Sequence, residues 1–241
     1  MGSSAQTVKN KNGLKKGAAP AGAKGRKKQI RVRRKGRFLF FLAAVILLVW
    51  GGYSFLEGMR NSEEAPHIAE IAGIPVTHHF LETSVPGRPG IERRIQCITI
   101  HETGNTSPGA NAKAHDSYLQ EVSRVQEISW HYTVDDHEIY HHLPDNEVGY
   151  NAGDGHLGGE GNRTGIGVEL CVNQDGDFEK TLENGAVLTA WLLNAYGLKP
   201  SDVKKHQDFS GKLCPEILIE SGRWEEFLEM VKQCYEEKAY Q

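Results

Sequence analysis

The sequence predicts an α/β domain with a single mixed β-sheet flanked by helices, preceded by one transmembrane helix. Two observations predict this architecture. Strand-like runs rich in β-branched residues alternate with amphipathic, helix-like segments over residues 91–241. Upstream of them, nineteen residues without a charge run from Phe38 to Leu56, which is about the length of a bilayer-spanning helix.

The amino-terminal arm, residues 1–37, contains eight lysines, five arginines and no acidic residue. Such a segment cannot bury enough apolar surface to fold, so we predict that it is disordered. Residues 38–241 carry fifteen basic and thirty-one acidic side chains. This balance argues against a nucleic-acid-binding domain, because phosphate contacts need clustered positive charge. The arm has the charge to contact nucleic acid or anionic lipid, although a role as a topology signal is favoured.

We interpret residues 38–56 as an uncleaved transmembrane anchor. The alternative is a cleaved secretory signal, which has a shorter apolar core and a small-residue cleavage site that this stretch lacks. The positive-inside rule places the basic arm in the cytoplasm and everything after Leu56 outside the cell membrane. We therefore predict a single-pass membrane protein, with a stalk and lead-in over residues 57–90 and an extracytoplasmic domain over residues 91–241.

Patterning within residues 91–241 predicts the strands and helices of this domain. Ile95 to His101 has the β-branched composition of a buried strand, and Thr164 to Val172 predicts another. Ser129 to His142 predicts a β-hairpin with Asp135 and Asp136 at its turn. Three helices are predicted from the spacing of apolar residues: Ala112 to Arg124, Phe178 to Tyr196 and Trp224 to Glu237.

Two histidines and a cysteine form the candidate metal site. His206 and Cys214 lie on one short, glycine-containing loop that can curl around an ion. His101 closes a predicted strand, so we expect its side chain at the rim of the sheet. Imidazole and thiolate are preferred zinc ligands, and catalytic zinc takes three protein ligands while one position stays open. These residues therefore predict a zinc (Zn²⁺) site.

A carboxylate on the strand Thr164 to Val172 is the second candidate. Glu169 shares one face of that strand with small residues, including Gly165 and Gly167, whereas the other face is apolar. Taken alone, Glu169 is best interpreted as a solvated strand residue. Beside a zinc site, the glycines leave room for substrate, and Glu169 becomes a candidate general base.

Four further histidines compete for a metal ion: His137, His141, His142 and His156. His141 and His142 are adjacent in a predicted strand, so they point to opposite faces and cannot readily share an ion. We predict that these histidines lie on the hairpin surface or at the rim of a cleft. Residues 151–161 are too rich in glycine for a core segment, and we interpret them as a mobile edge of that cleft.

Four segments, in this order, resemble the zinc-dependent N-acetylmuramoyl-L-alanine amidases of the amidase-2 type. They are Ile98 to Asn105, Ser129 to Val134, Asn162 to Glu169 and His206 to Cys214. The group includes phage lysozyme-like amidases and is related to peptidoglycan recognition proteins. The resemblance covers about residues 91–235, and it implies hydrolysis of the amide bond between N-acetylmuramic acid and L-alanine in peptidoglycan.

The resemblance also implies roles for individual residues. The zinc ligands of the family carry over onto His101, His206 and Cys214. Its catalytic glutamate falls on Glu169. A lysine two residues before the third ligand carries over onto Lys212, where it would steady an oxyanion.

The chain departs from the family pattern just before the histidine of the hairpin. Some phage members have a proton-transferring tyrosine at this position, where the present chain has Trp130. An indole does not exchange protons, so the proton transfer is expected to shift to Glu169. His131 matches a pocket histidine of those members.

Two other interpretations stay open on the sequence. One is a non-catalytic peptidoglycan-binding module of the same fold. Such relatives commonly lack the cysteine ligand, whereas Cys214 is present here together with Lys212 and Glu169. The other is a thiol hydrolase with Cys214 as nucleophile and a histidine as base. The sequence predicts neither the preferred stem peptide nor an oligomeric state.

Overall fold

The computed structural model describes residues 39–52, 65–155 and 160–241. The chain divides into two units, Met1–Gly51 and Gly52–Gln241. The predicted basic arm, residues 1–37, lies outside the described residues, as do Phe38 and residues 53–56 at the two ends of the predicted anchor.

Helix α1, residues 39–52, lies in the first unit except for its last residue, and its apolar side chains are mostly exposed. Within the described parts of the chain, no helix combines the length and the hydropathy needed to cross a bilayer. The anchor proposed for residues 38–56 stays a prediction.

A seven-stranded mixed sheet forms the centre of the second unit. Its strands are β1 Glu70–Ile71, β2 Ile74–His78, β3 Cys97–Glu102, β4 Tyr132–Val134, β5 Ile139–His141, β6 Gly165–Leu170 and β7 Val203–Lys205. Their order across the sheet is β1-β2-β5-β4-β6-β3-β7. The pairs β1–β2 and β4–β5 are antiparallel, and the other neighbours are parallel. The predicted single mixed sheet is confirmed.

Helices cover both faces of this sheet, as predicted. The described helices of this unit are α2 Ala112–Val122, α3 Glu160–Thr164, α4 Phe178–Ala195, α5 Gln207–Ser210, α6 Glu216–Glu220 and α7 Trp224–Glu237, with a 3₁₀ turn at Pro200–Asp202. Helices α4 and α7 share a large apolar core with the face of the sheet that carries Ile98 and Ile166. On the opposite face, Leu119 of α2 packs in a smaller cluster with Trp130 and Leu143.

The predicted hairpin is confirmed, and its turn has a clear local cause. The Oδ1 atom of Asp135 accepts hydrogen bonds from the backbone N–H groups of His137 and Glu138, at 2.7 and 2.8 Å. A carboxylate that accepts hydrogen bonds from backbone N–H groups two and three residues later stabilises a tight turn. Strands β4 and β5 therefore return antiparallel on either side of Asp135.

Two strands lie upstream of residue 91, within the stretch predicted as stalk and lead-in. Strand β2 pairs in parallel with β5, where Val76 lies opposite Ile139. Ile71 and Leu81 are buried, at 2 % and 1 % exposure. Residues 65–90 are thus part of the folded domain rather than a spacer in front of it.

The predicted surface position of the hairpin histidines is wrong for His141 and His142, which are 2 % and 0 % exposed. They do point to opposite faces, as the alternation of a strand requires. On one side, the Nδ1 atom of His141 lies 3.0 Å from Nδ1 of His78 in β2. On the other, Nδ1 of His142 lies 3.3 Å from the carboxylate of Asp116 in α2. Strand β2 covers His141 and helix α2 covers His142, so both side chains are buried.

A buried carboxylate organises the side chains around His141. The Nε2 atom of His141 lies 3.3 Å from Oδ1 of Asp145. The hydroxyl groups of Tyr132 and Tyr196 donate hydrogen bonds to Oδ2 of Asp145, at 3.1 and 2.6 Å. Burial alone raises the pKa of Asp145, but His141 and the Tyr196 hydroxyl outweigh it and hold this pKa below its usual value.

Replacement of Asp145 by asparagine tests this cluster. We expect Asp145→Asn to lower the free energy of unfolding of the full chain by about 3 kcal/mol at neutral pH, because a buried ionic partner is lost. A carboxylate with a lowered pKa stabilises the fold above its ordinary pKa, and this contribution is lost as the pH falls through the folded value. The difference between wild type and variant should therefore shrink below about pH 4.

Urea denaturation at several pH values measures this difference. The exposed Glu225 provides a matched control, because Glu225→Gln removes a carboxylate outside the core. Equal stability of wild type and Asp145→Asn at neutral pH would contradict the role given to Asp145.

Candidate metal centre

Three parallel strands deliver candidate residues to one edge of the sheet. Strand β3 lies between β6 and β7, and the carboxyl ends of all three meet at this edge. His101 lies directly opposite Glu169 in the pairing of β3 with β6. His206 follows β7, and its backbone N–H donates a hydrogen bond to the carbonyl of Ile100 at 3.2 Å. The strand pairing thus brings His101, Glu169 and His206 together.

The loop after β7 returns Cys214 to the same point. It turns through α5, and the backbone N–H of Gln207 donates to the carbonyl of Cys214 at 3.1 Å. Beyond Cys214, the side chain of Glu102 accepts two backbone N–H groups of α6, at 2.7 and 3.0 Å. Glu102 directly follows His101, so it ties the cysteine loop to β3. This role of Glu102 was not predicted from the sequence.

The three predicted ligands offer a compact set of donor atoms. The Nδ1 atoms of His101 and His206 lie 3.0 Å apart, and Sγ of Cys214 lies 3.9 Å from Nδ1 of His101. One ligand atom from each residue lies within 4.8 Å of the others, and all three side chains are buried. Zinc–nitrogen bonds of about 2.1 Å in a tetrahedral site place two nitrogens roughly 3.4 Å apart. The donor set and its spacing fit zinc.

Burial shifts the titration of all three side chains. It is the largest cause that lowers the pKa of His101 well below its usual value, and it also lowers the pKa of His206. Both imidazoles are therefore neutral near pH 7 and keep a lone pair for a metal ion. Burial also raises the pKa of the Cys214 thiol to about 12. A nearby cation would hold this sulfur as thiolate.

Glu169 is the carboxylate beside these ligands. Its Oε1 atom lies 3.8 Å from Nδ1 of His101. Its Oε2 atom is buried and has no hydrogen-bond partner among the described residues. Burial raises the pKa of Glu169 to about 8, although the positive charge of Lys212 opposes this shift. A carboxyl group with such a pKa can both accept and donate a proton near neutral pH.

An open cavity of about 230 Å³ lies in front of the candidate ligands. It is lined by His101, Glu102, Thr103, His115, Tyr118, Ile128, Trp130, Tyr150, Asn151, Glu169, His206, Lys212 and Cys214. All five predicted site residues belong to this lining. Lys212 is exposed to solvent and adds the positive charge of its ammonium group to the lining.

The two hairpin residues singled out by the sequence differ in position. Trp130 lines the cavity, and its Nε1–H donates to Oγ1 of Thr133 at 2.7 Å. His131 does not line the cavity; it is fully buried and accepts the backbone N–H of Gly167 at 3.0 Å. Burial and the neighbouring Arg93 lower the pKa of His131 to about 3. His131 therefore lies behind the cavity wall, and its correspondence to a pocket histidine of some phage amidases stays a prediction.

The competing histidines do not form a second metal centre within the described residues. His101, His206 and Cys214 are the one described group of three or more histidine, cysteine or acidic side chains with converging ligand atoms. His137 is exposed, with its Nε2 atom 3.6 Å from Asp136. His156 and the rest of residues 156–159 lie outside the described residues, so the predicted mobility of that loop stays a prediction.

A model of the N-acetylmuramoyl-L-alanine amidase family matches residues 91–217 of this chain. The amidase XlyA of Bacillus subtilis (strain 168) is 42 % identical over 154 residues, which cover 64 % of this chain and 50 % of XlyA. The amidase CwlH of the same organism is 41 % identical over 155 residues, which cover 64 % of this chain and 60 % of CwlH. The chain thus spans half to three-fifths of the length of these relatives.

The solved catalytic domain of XlyA has the same fold as the second unit. It matches with a TM-score of 0.62 and 40 % identity, and the match covers 66 % of this chain and 99 % of that domain. The PlyL structure matches with a TM-score of 0.60 and 28 % identity, covering 66 % of this chain and 98 % of PlyL. With the family model matching more than half of its residues, the chain belongs to the N-acetylmuramoyl-L-alanine amidase family, amidase-2 type, whose enzymes are zinc-dependent hydrolases.

Proposed function

We propose that this protein hydrolyses the amide bond between N-acetylmuramic acid and L-alanine in peptidoglycan, with zinc held by His101, His206 and Cys214. The observation that carries the proposal is the convergence of these three buried ligand atoms within 4.8 Å at the wall of an open cavity. Family membership supports the same bond as the target. A site closed on one side by protein and open on the other is typical of catalytic rather than structural zinc.

In this mechanism, bound zinc would acidify water and polarise the lactyl carbonyl of the substrate. Glu169 takes the proton from the attacking water, whose oxygen forms a bond to the carbonyl carbon. The carbon–nitrogen bond then breaks, and Glu169 returns the proton to the departing amine of L-alanine. The muramic acid keeps the new carboxylate.

Lys212 is placed to stabilise the negative charge that develops on the carbonyl oxygen. Its side chain lines the same cavity, and its charge acts on His101, His206 and Glu169. A fixed positive group beside a developing oxyanion favours the transition state over the uncharged substrate.

The proton transfer is assigned to Glu169 by comparing the two carboxylates of the cavity. Both oxygens of Glu102 already accept backbone N–H groups of α6. One buried oxygen of Glu169 has no hydrogen-bond partner among the residues that the structure describes. Trp130, at the position of a tyrosine in some relatives, donates its N–H to Thr133, and an indole N–H is too weak an acid to supply a proton. Glu169 is therefore the carboxylate that is free to transfer the proton.

We further propose that the enzyme acts at the outer face of the cell membrane, with residues 38–56 as its anchor. The support is the uncharged run of nineteen residues that follows a basic arm. This location would bring the cavity to its polymeric substrate.

The cysteine ligand separates a zinc amidase from a thiol hydrolase and from a binding module. The full chain, incubated with defined muropeptides and zinc, should release stem peptide with a free L-alanine amino group, detected by mass spectrometry. Cys214→Asp should retain part of the zinc and activity, because carboxylate is also a zinc ligand. Cys214→Ala should lose both. Zinc binding without peptide release would support the binding module, and inactivity of Cys214→Asp with full zinc content would support the thiol hydrolase.

Glutamine at position 169 tests the proton transfer. We expect Glu169→Gln to lower kcat by about 10²- to 10⁴-fold, because an amide cannot carry the proton. Its zinc content should equal that of wild type, since Glu169 is not among the three ligands. Glu121→Gln, a change on the exposed side of α2, is the matched control. A Glu169→Gln enzyme with wild-type kcat would rule out this assignment.

Membrane extraction tests the anchor. Full-length protein should stay with the membrane pellet in alkaline carbonate, and protease added outside the cell should digest residues after the anchor. Two lysines introduced at Val45 and Leu48 should release it, because each charge costs about 3 kcal/mol at the centre of a bilayer. Recovery of the unmodified chain in the carbonate supernatant would refute the anchor.

A further inference from the structure

One side chain outside the predicted ligand set contacts a candidate ligand directly. The Oδ1 atom of Asn151 lies 3.2 Å from Nε2 of His101. A carbonyl oxygen only accepts hydrogen bonds, so Nε2 of His101 carries the hydrogen. In a neutral imidazole the other nitrogen then has the lone pair. That nitrogen, Nδ1, is the atom that faces His206 and Cys214.

The backbone of Asn151 is held by a buried side chain from the next helix. Asn162, which is 3 % exposed, accepts the backbone N–H groups of Asn151 and Ala152 with one oxygen, at 2.9 and 2.7 Å. Asp154 in turn accepts the N–H groups of Gly161 and Asn162, at 2.6 and 3.3 Å. The described part of this glycine-rich loop, residues 151–155, is therefore pinned to the start of α3.

The side chain of Asn151 is also confined by strand β6. A Cβ atom at Gly167 would lie 2.8 Å from Cγ and Nδ2 of Asn151, closer than side chains approach without displacement. The Nδ2 atom of Asn151 also lies 3.5 Å from the carbonyl of Ser129, which favours the orientation with Oδ1 toward His101. Gly167 thus leaves the space in which the amide reaches the imidazole.

We propose that Asn151 is a positioning residue for the metal centre. It fixes the tautomer and the ring orientation of His101, so that the Nδ1 lone pair points at the ion. Hydrogen-bond partners of this kind raise the basicity of a ligating imidazole, and their loss typically costs 10- to 100-fold in metal affinity. Asn162 and Gly167 set the position of Asn151. The proposal rests on zinc binding at the site described under the proposed function.

Zinc affinity of the full chain, measured by competition with a chromophoric chelator, tests the proposal without reference to activity. Asn151→Ala should bind zinc about 10- to 100-fold more weakly than wild type. Asn151→Asp keeps an acceptor toward His101 and should bind at least as tightly as wild type. Gly167→Ala retains every ligand and Asn151 itself, but its methyl group should displace the amide and weaken binding in the same direction.

Two controls separate positioning from loss of structure. Asn173→Ala removes an asparagine that does not line the cavity, and it should leave zinc affinity unchanged. The thermal unfolding midpoint of each metal-free variant should stay near that of metal-free wild type. In the cobalt-substituted proteins, the thiolate charge-transfer band should persist in Asn151→Ala, because the three ligands are unchanged.

Three results would overturn the proposal. Asn151→Ala with a zinc affinity within about threefold of wild type would show that the amide does not support the ligand, given the usual cost of losing such a partner. An equal loss in Asn151→Asp, which keeps the shape and an oxygen acceptor, would show that the acceptor toward His101 is not what supports the ligand. Wild type without zinc would overturn both proposals. Wild type that binds zinc but leaves muropeptides intact would overturn the proposed function alone.

Discussion

The parallel pairing of β3 with β6 and β7 is the constraint on which the candidate metal centre depends. It sets His101 directly opposite Glu169, and it carries His206 to the same edge through the hydrogen bond to Ile100. Side chains alternate between faces of a strand, so a slip of one residue in β6 would exchange Glu169 for an apolar neighbour. The apolar face of β6, packed in the core shared with α4, prevents that slip.

Burial at this edge acts on each candidate group in the direction of its uncharged form. It lowers the pKa of His101 and His206, and it raises those of Glu169 and Cys214. Neutral imidazoles are the form that binds a metal ion, whereas the thiol must lose its proton. A divalent cation stabilises the thiolate, and its charge also lowers the pKa of the adjacent carboxyl. One bound ion would therefore keep Cys214 as a thiolate and also lower the pKa of Glu169.

The sequence was sufficient for elements whose side-chain pattern is strong. Helix α7 begins at Trp224 and ends at Glu237, as its spacing predicts. Strands β1 and β2 gave no such signal, because they are short, lie around Gly73 and contain Pro75. Their strand character comes from the pairing of β2 with β5 and of β1 with β2, which a local pattern does not contain. For this reason, the sequence predicted a stalk where the structure has two strands of the sheet.

The residues of the candidate site also divide into those that the local sequence predicts and those that it does not. Residue type and loop spacing were enough to nominate His101, His206 and Cys214, since few side chains bind zinc. The burial of His141 and His142 depends on β2 and α2, which are distant in sequence, so alternation predicted their directions but not their surroundings. Asn151 lies in a glycine-rich loop, and no spacing relates it to His101. Its signal is the hydrogen bond itself.

Two histidine pairs in this domain have the same geometry and different chemistry. In both, the Nδ1 atoms lie 3.0 Å apart. In the pair of His78 and His141, the outer nitrogen of His78 lies 3.0 Å from the carbonyl of Ile68, so it carries a hydrogen. The inner nitrogen of His78 then accepts, and His141 must donate to it. The outer nitrogen of His141 faces the carboxylate of Asp145.

The outer partner in the pair of His78 and His141 is therefore a charged acceptor, the carboxylate of Asp145. The pair of His101 and His206 differs in its outer partner and in its neighbouring donors. The outer partner of His101 is the neutral amide of Asn151 rather than a carboxylate. Among the described residues, only this pair belongs to a group of three converging ligands, the third being Cys214. A third converging donor, Cys214, rather than the approach of two imidazoles, distinguishes the pair of His101 and His206 as the candidate metal site.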